Sequence, residues 1–147
     1  MPIKKVILIL LIFNFFGCKK PKKGDYIFSI DVMNTNIFIP SGSTLVPTPS
    51  ISYFKESKIL KMQNITKYGF NLDNDKWIKQ KDSVFFTDPT NVTHSPGSST
   101  FSNNNYRGKI KSNKLIEGNL YVKGIEYQFN ASIHFTVQGV FKLEKKY

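Results

Sequence analysis

The chain has 147 residues, 40% of them hydrophobic and 14% aromatic, enough apolar material for one ordinary domain, which excludes a collagen-like repeat or a wholly disordered tail. A single cysteine excludes an internal disulfide framework and a Cys-rich zinc site, so packing and hydrogen bonding must hold the fold. The formal net charge of +11 favours anionic partners.

Lys4 and Lys5 open the chain, Val6 to Phe16 form an apolar run interrupted only by Asn14, and Gly17 and Cys18 follow at once. Crossing a hydrocarbon core of roughly 30 Å takes about twenty apolar helical residues, so this run is too short to span. Its charged start, short apolar stretch and small residue before a cut have the proportions of a secretory signal. Phe15, Phe16, Gly17 and Cys18 resemble the lipobox of a bacterial lipoprotein in its last two places, a small residue and then the cysteine to be lipidated. Phe15 and Phe16 depart from it, standing where that motif carries leucine and a small residue. The resemblance covers the leader alone. It implies that residues 1–17 are a signal peptide and that Cys18 becomes the first mature residue, with a thioether-linked diacylglycerol and an acylated amine. Two or three acyl chains, each buried CH₂ contributing about 0.8 kcal/mol, would anchor the protein without spanning the membrane. An uncleaved leader with an incidental cysteine is the competing reading.

Lys19, Lys20, Pro21, Lys22, Lys23 and Gly24 read as a basic tether, so residues 18–24 link the anchor to one β domain over 25–147. Lipoproteins displayed on the cell surface often carry acidic residues after the cysteine. The basic run here therefore implies, by that likeness, an outer-membrane lipoprotein facing the periplasm. With Lys4 and Lys5 lost in the leader, the charge of +11 falls to +9. Only Arg107 among the basic residues is arginine, whereas nucleic-acid readout leans on arginine's planar fork. Anionic lipid or polysaccharide is the expected partner class and nucleic acid is not. A chain rich in Lys, Ile, Asn and Phe is also what an AT-rich genome encodes, which would make the charge compositional.

Asp25 to Met33 alternates cleanly, with Tyr26, Phe28, Ile30 and Val32 on one face, and predicts a first strand. Asn36 to Ile39 is a short second candidate, closed by Pro40 and a loop through Pro47 to Ser50. Ile51 to Met62 is ambiguous between helix and strand. Thr66 to Leu72 places Tyr68, Phe70 and Leu72 on one face. Asn71 to Asp75 reads as a turn, and Lys76 to Phe86 as one or two strands forming a hairpin. From Thr87 to Asn105 the chain loses its apolar character and predicts a loop of unusual length, which points to function.

The C-terminal third alternates most clearly. Tyr106, Gly108 and Ile110, then Ile116, Gly118, Leu120 and Val122, predict two strands joined by a turn at Ser112 to Lys114. From Tyr127 to Leu143 every second residue is apolar or glycine, which predicts one long strand with one buried face. A hairpin at Gln138 and Gly139 would set Phe135 opposite Lys142, so the strand must instead bend, with Gly139 the natural kink. Bent terminal strands belong to small barrels and curled sandwiches. The expected fold is all-β and mainly antiparallel, a small barrel, half-barrel or curled sandwich of about seven to nine strands.

Catalytic chemistry finds little support. His94 sits in the predicted loop near Asp88, and His134 on a polar strand face, neither in a metal-ligand pattern. Asp73 and Asp75 flank Asn74 as turn residues do. Glu117 and Glu126 stand on neighbouring predicted strands with lysines close by and no apolar setting to raise their pKa. No nucleophile motif, phosphate-cradling loop or triad spacing occurs, so no enzyme, metal or cofactor is expected. Lys76, Trp77, Lys79 and Lys81 mix the only tryptophan with three positive charges, a combination that can stack on a sugar ring or anionic head group. Trp77 in the core with its lysines outside is the alternative. Three functions follow: a lipid-anchored envelope domain that binds or scaffolds through the loops at Pro40 to Ser50 and Thr87 to Asn105; a carrier with an apolar molecule inside a barrel; and an inhibitor of an envelope-attacking enzyme. The last ranks lowest because such enzymes are usually basic as well.

Overall fold

The computed structural model describes residues 19–40, 57–128 and 131–147. The described residues form strands β1 (Gly24–Phe38), β2 (Ser57–Gln63), β3 (Gly69–Leu72), β4 (Asp75–Gln80), β5 (Ser83–Ser95), β6 (Ser98–Ser112), β7 (Leu115–Gln128) and β8 (Ala131–Lys145). Each pairs antiparallel with its neighbours in sequence order, and β8 returns to β1 to close a barrel. The strand count and class agree with the expectation from hydropathy alternation. The leader, Cys18 and the segment from Ser41 to Glu56, which includes most of the first predicted loop, lie outside the described residues.

The ring is uneven. β2 pairs with β1 only from Gly24 to Ser29, and β4 pairs with β5 only from Ser83 to Phe85. Beyond those points β1 pairs only with β8 and β5 only with β6 among the described residues. One end is therefore a closed eight-stranded ring. The other is a five-stranded trough of β1, β8, β7, β6 and β5.

Side chains fill the closed end. Trp77 lies at the centre, its ring 5.9 Å from Phe70, 5.3 Å from Phe86, 5.6 Å from Tyr106 and 5.4 Å from Phe141. Tyr26, Met62, Leu72, Ile110, Ile116 and Leu143 complete this cluster, and Leu120, Val122, Phe135 and Val137 continue it toward the trough. Gly108 makes room for Phe141, because a Cβ there would come within 2.7 Å of the Phe141 ring, and the directly opposed Gly118 makes room for the β6 backbone at Arg107 and Gly108.

Several elements differ from their predicted form. Asn36 to Phe38 continues β1 past a register shift between Val32 and Asn34 and is no separate strand. That irregularity lies on β1 opposite Gly139, whereas β8 keeps unbroken register with β7 through Gln138 and Gly139, so the kink expected at Gly139 is not found in its own strand and there is no hairpin there. The ambiguous segment is strand from Ser57 on. Thr87 to Asn105 is no long loop. It is the outer half of the β5–β6 hairpin, which turns at Pro96 and Gly97, the latter at φ 80°. Ladder hydrogen bonds use backbone groups, so Ser, Thr and Asn can occupy a strand whose faces are not apolar, and Pro89 falls where the register shifts, a place that tolerates a missing N–H.

The run from Tyr127 to Leu143 is likewise two strands, since Gln128 pairs with Ala131 and the chain reverses between them. The inward parity switches from even numbers on β7 to odd numbers on β8. Glu126, a polar residue inside, and Tyr127, an aromatic residue outside, concealed that switch in the sequence. The tether also differs. Pro21 is buried, Lys22 N–H donates to the Asn113 carbonyl (3.2 Å), and the Tyr26 hydroxyl contacts the carbonyls of Lys22 (2.9 Å) and Asn113 (3.2 Å). The chain thus packs across the closed end from Pro21 on.

Candidate functional site

Strand alternation assigns the inner wall of the trough. Even residues of β6 and β7 and odd residues of β8 point inward, so Thr100 faces Glu126, Asn104 faces Val122, and Glu126 faces Ile133. Thr100, Asn104 and Glu126 are all buried, Glu126 at 2% exposure. Gln128 donates to Glu126 Oε1, whereas Glu126 Oε2 and Asn104 Oδ1 have no hydrogen-bond partner among the described residues. A buried acceptor without a donor costs about 1–3 kcal/mol, so each such group calls for an explanation. Apolar Val122, Ile133 and Phe135 flank them. The wall therefore offers an apolar surface with two hydrogen-bond acceptors set into it, chemistry suited to an amphipathic guest carrying N–H or O–H donors.

The outer side of the same trough carries an apolar row. Register places Val92, Phe101, Ile125, His134 and Phe38 side by side across β5, β6, β7, β8 and β1. Phe101 meets Tyr127 edge-on at 5.8 Å and Phe38 meets His134 at 6.4 Å, with Phe38 66% exposed. A hollow of about 150 Å³ lies beside Phe38, His134 and Lys123. Nearer the closed end, a groove of about 460 Å³ runs along the outer wall between Ser29, Asp31, Lys111, Glu117, Asn119 and Lys142. Its Lys142 ammonium contacts Glu144 at 2.7 Å, and that bond holds the lysine pKa above its usual value.

The residues singled out in the sequence do not converge. Trp77 and Lys79 point inward from β4 and are buried, at 2% and 6% exposure, whereas Lys76 is exposed on the strand and Lys81 is exposed in the β4–β5 turn at φ 53°. These four do not share a surface, and Trp77 is enclosed by rings on several sides. Lys79 also departs from the alternative that set every lysine neighbour outside. Glu117 and Glu126 both belong to β7, nine residues and about 30 Å apart, one outward between Lys109 and Lys142 and the other buried. Asp73 serves the turn, accepting from Lys61 N–H through Oδ1 (2.7 Å) and returning its own N–H to the Lys61 carbonyl (2.9 Å). Asp75 has its pKa raised by burial and by the charge of Asp88, against the pull of Lys58. His94 Nδ1 pairs with Ser99 Oγ at 2.9 Å. No group of three potential metal ligands occurs among the described residues. Asn104 and Glu126 escaped the sequence reading as site residues. Their signal was a polar residue at an inward position of a strand, legible only once register is known.

Among family models, curated proteins and solved structures, nothing matches this chain.

Proposed function

We propose that this chain is a lipid-anchored domain of the bacterial cell envelope, held through acylated Cys18 at the periplasmic face of the outer membrane, that binds a ligand or partner without turning it over. The trough is its binding surface. One observation carries the binding reading: buried Asn104 Oδ1 and Glu126 Oε2 on the trough's inner wall have no hydrogen-bond partner among the described residues. The closed end is packed with side chains, so a carrier of the kind that fills a whole barrel interior is not favoured. A narrower carrier reading, an amphipathic molecule lying in the trough with donors on Asn104 and Glu126, draws on the same observation. The inhibitor reading gains no support from the geometry.

Native and intact mass spectrometry of protein extracted from membranes tests both parts. Acylated Cys18 to Tyr147, lost in a Cys18→Ala variant, is expected for the anchor. An unmodified chain of 147 residues would overturn it. A non-covalent adduct that disappears in Glu126→Gln and Asn104→Leu variants is expected for the trough. An adduct retained in both, or none in the native protein, would overturn that assignment.

A further inference from the structure

Positive charge is distributed unevenly along the barrel. Backbone hydrogen bonds gather several segments at the closed end: Lys22 to Asn113, Lys145 to Lys114, Lys146 to Asp25, Lys79 to Tyr68 and Ile110 to Asp82. The incoming chain brings Lys19, Lys20, Lys22 and Lys23 there, all exposed. The β2–β3 connection adds Lys67, the β4–β5 turn Lys81, the β6–β7 turn Lys114 and the C-terminal segment Lys146, each exposed as well. Against them stand Asp25 and Asp82. The trough, from Arg107 outward, carries Arg107 and Lys123 against Asp31, Asp88 and Glu126 among the described residues, and its β5–β6 turn has no lysine.

Two exposed tyrosines sit within the basic end. The Lys67 ammonium lies 4.7 Å from the Tyr68 ring centroid and that of Lys114 lies 5.3 Å from the Tyr147 ring. Amphipathic rings beside cations are the side chains enriched where lipid head groups meet water. Chain length adds a constraint. Pro21 is already buried on the barrel, so only Lys19 and Lys20 separate it from the proposed anchor at Cys18, a leash of about 10 Å at most. Charges that close to a surface lie within roughly one Debye length of about 8 Å at physiological salt.

We infer that the closed end of the barrel is a docking face for an anionic lipid surface, which holds the barrel end-on with the trough directed away from the membrane. The inference deepens the anchoring proposal and takes it as its setting, but its test does not use the acyl group. The test uses residues 19–147, which contain every described strand and both core clusters, with a cooperative thermal melt required of each variant before its binding is read.

Cosedimentation with vesicles of phosphatidylcholine alone, or mixed with phosphatidylglycerol, reads the binding. Expected is partition onto the mixed vesicles that weakens as salt rises and is at least about tenfold poorer on the neutral ones. Removing Lys67, Lys81 and Lys114 by Lys→Gln substitution is expected to cost about fivefold each, roughly a hundredfold together. Removing Lys76, Arg107 and Lys123 from the barrel wall by substitution with Gln, an equal loss of charge, is expected to change little. Equal losses for the two triple variants, no preference for the anionic vesicles, or capture by soluble dextran sulfate without vesicle binding would each overturn the docking face. The last outcome would assign the charge to polysaccharide. Failure of the anchor is read separately, from the mass of the membrane-extracted chain.

Discussion

Trp77→Ala distinguishes a core tryptophan from a surface stacking platform. In the core, truncation removes the ring that Phe70, Phe86, Tyr106 and Phe141 pack against at 5.3 to 5.9 Å, from a residue only 2% exposed. Such large-to-small changes cost about 3–5 kcal/mol through lost burial and the cavity left behind. Marginal domains hold only about 5–15 kcal/mol in total. At about 4 °C per kcal/mol for a domain of this size, the melting temperature is expected to fall by roughly 12–20 °C. Trp77→Phe makes a sharper test. It keeps an aromatic ring in the stack and deletes Nε1, a buried donor with no partner among the described residues, whose desolvation costs about 1–3 kcal/mol. That gain offsets much of the lost volume, so Trp77→Phe is expected to stay within about 1 kcal/mol of the parent. Thermal and urea unfolding measure both variants, and the single tryptophan allows a parallel check, since its fluorescence should resist quenching by iodide in the folded state. A Trp77→Ala variant with an unchanged melting temperature, or ready quenching in the native protein, would refute the core placement.

Gly118→Ala is expected to destabilise the barrel by at least about 2 kcal/mol, because the added methyl would overlap the Arg107 carbonyl and the Gly108 Cα; urea unfolding measures it, and near-parental stability would contradict the close β6–β7 approach. Tyr26→Phe removes hydroxyl bonds to Lys22 and Asn113, with an expected cost of about 1–2 kcal/mol and faster tryptic cleavage at Lys22 and Lys23, read by mass spectrometry. Burial raises the Tyr26 pKa against the pull of the Lys22 backbone bond. The unfolded chain therefore loses this proton first, and stability from Tyr26 should hold below about pH 10 and fall above it, a limb that the Phe variant flattens in unfolding profiles. Asp75 has a raised folded pKa from burial and from Asp88. Its charge thus opposes folding at neutral pH and ceases to do so below about pH 4, so Asp75→Asn should raise the melting temperature at pH 7 and leave it unchanged at pH 3.

The all-β class was legible because alternation is a local property: Tyr26, Phe28 and Ile30 in β1, or Ile116, Leu120 and Val122 in β7, announce a half-buried strand without reference to partners. The polar outer half of the β5–β6 hairpin was not legible, because its strands are defined by backbone pairing that Ser, Thr and Asn side chains do not advertise. The turn before Ala131 was hidden for a related reason: Glu126 occupies an inward position and Tyr127 an outward one, inverting the pattern that marks a change of parity. At the site, the sequence could mark Trp77 and its lysines as unusual neighbours. It could not say that Trp77 and Lys79 turn inward while Lys81 sits in a turn.

Composition and local pattern by themselves determined the class, the approximate strand count and the basic character, since each depends on residue type and short-range order alone. Tertiary structure decided what depends on which residues meet across the ring. It buried Trp77, set Asn104 Oδ1 and Glu126 Oε2 on one inner wall without a hydrogen-bond partner among the described residues, and collected lysines from five separate stretches of chain at the closed end. Those arrangements arise from register and closure, which couple residues tens of positions apart, and no window of sequence contains both sides of such a contact.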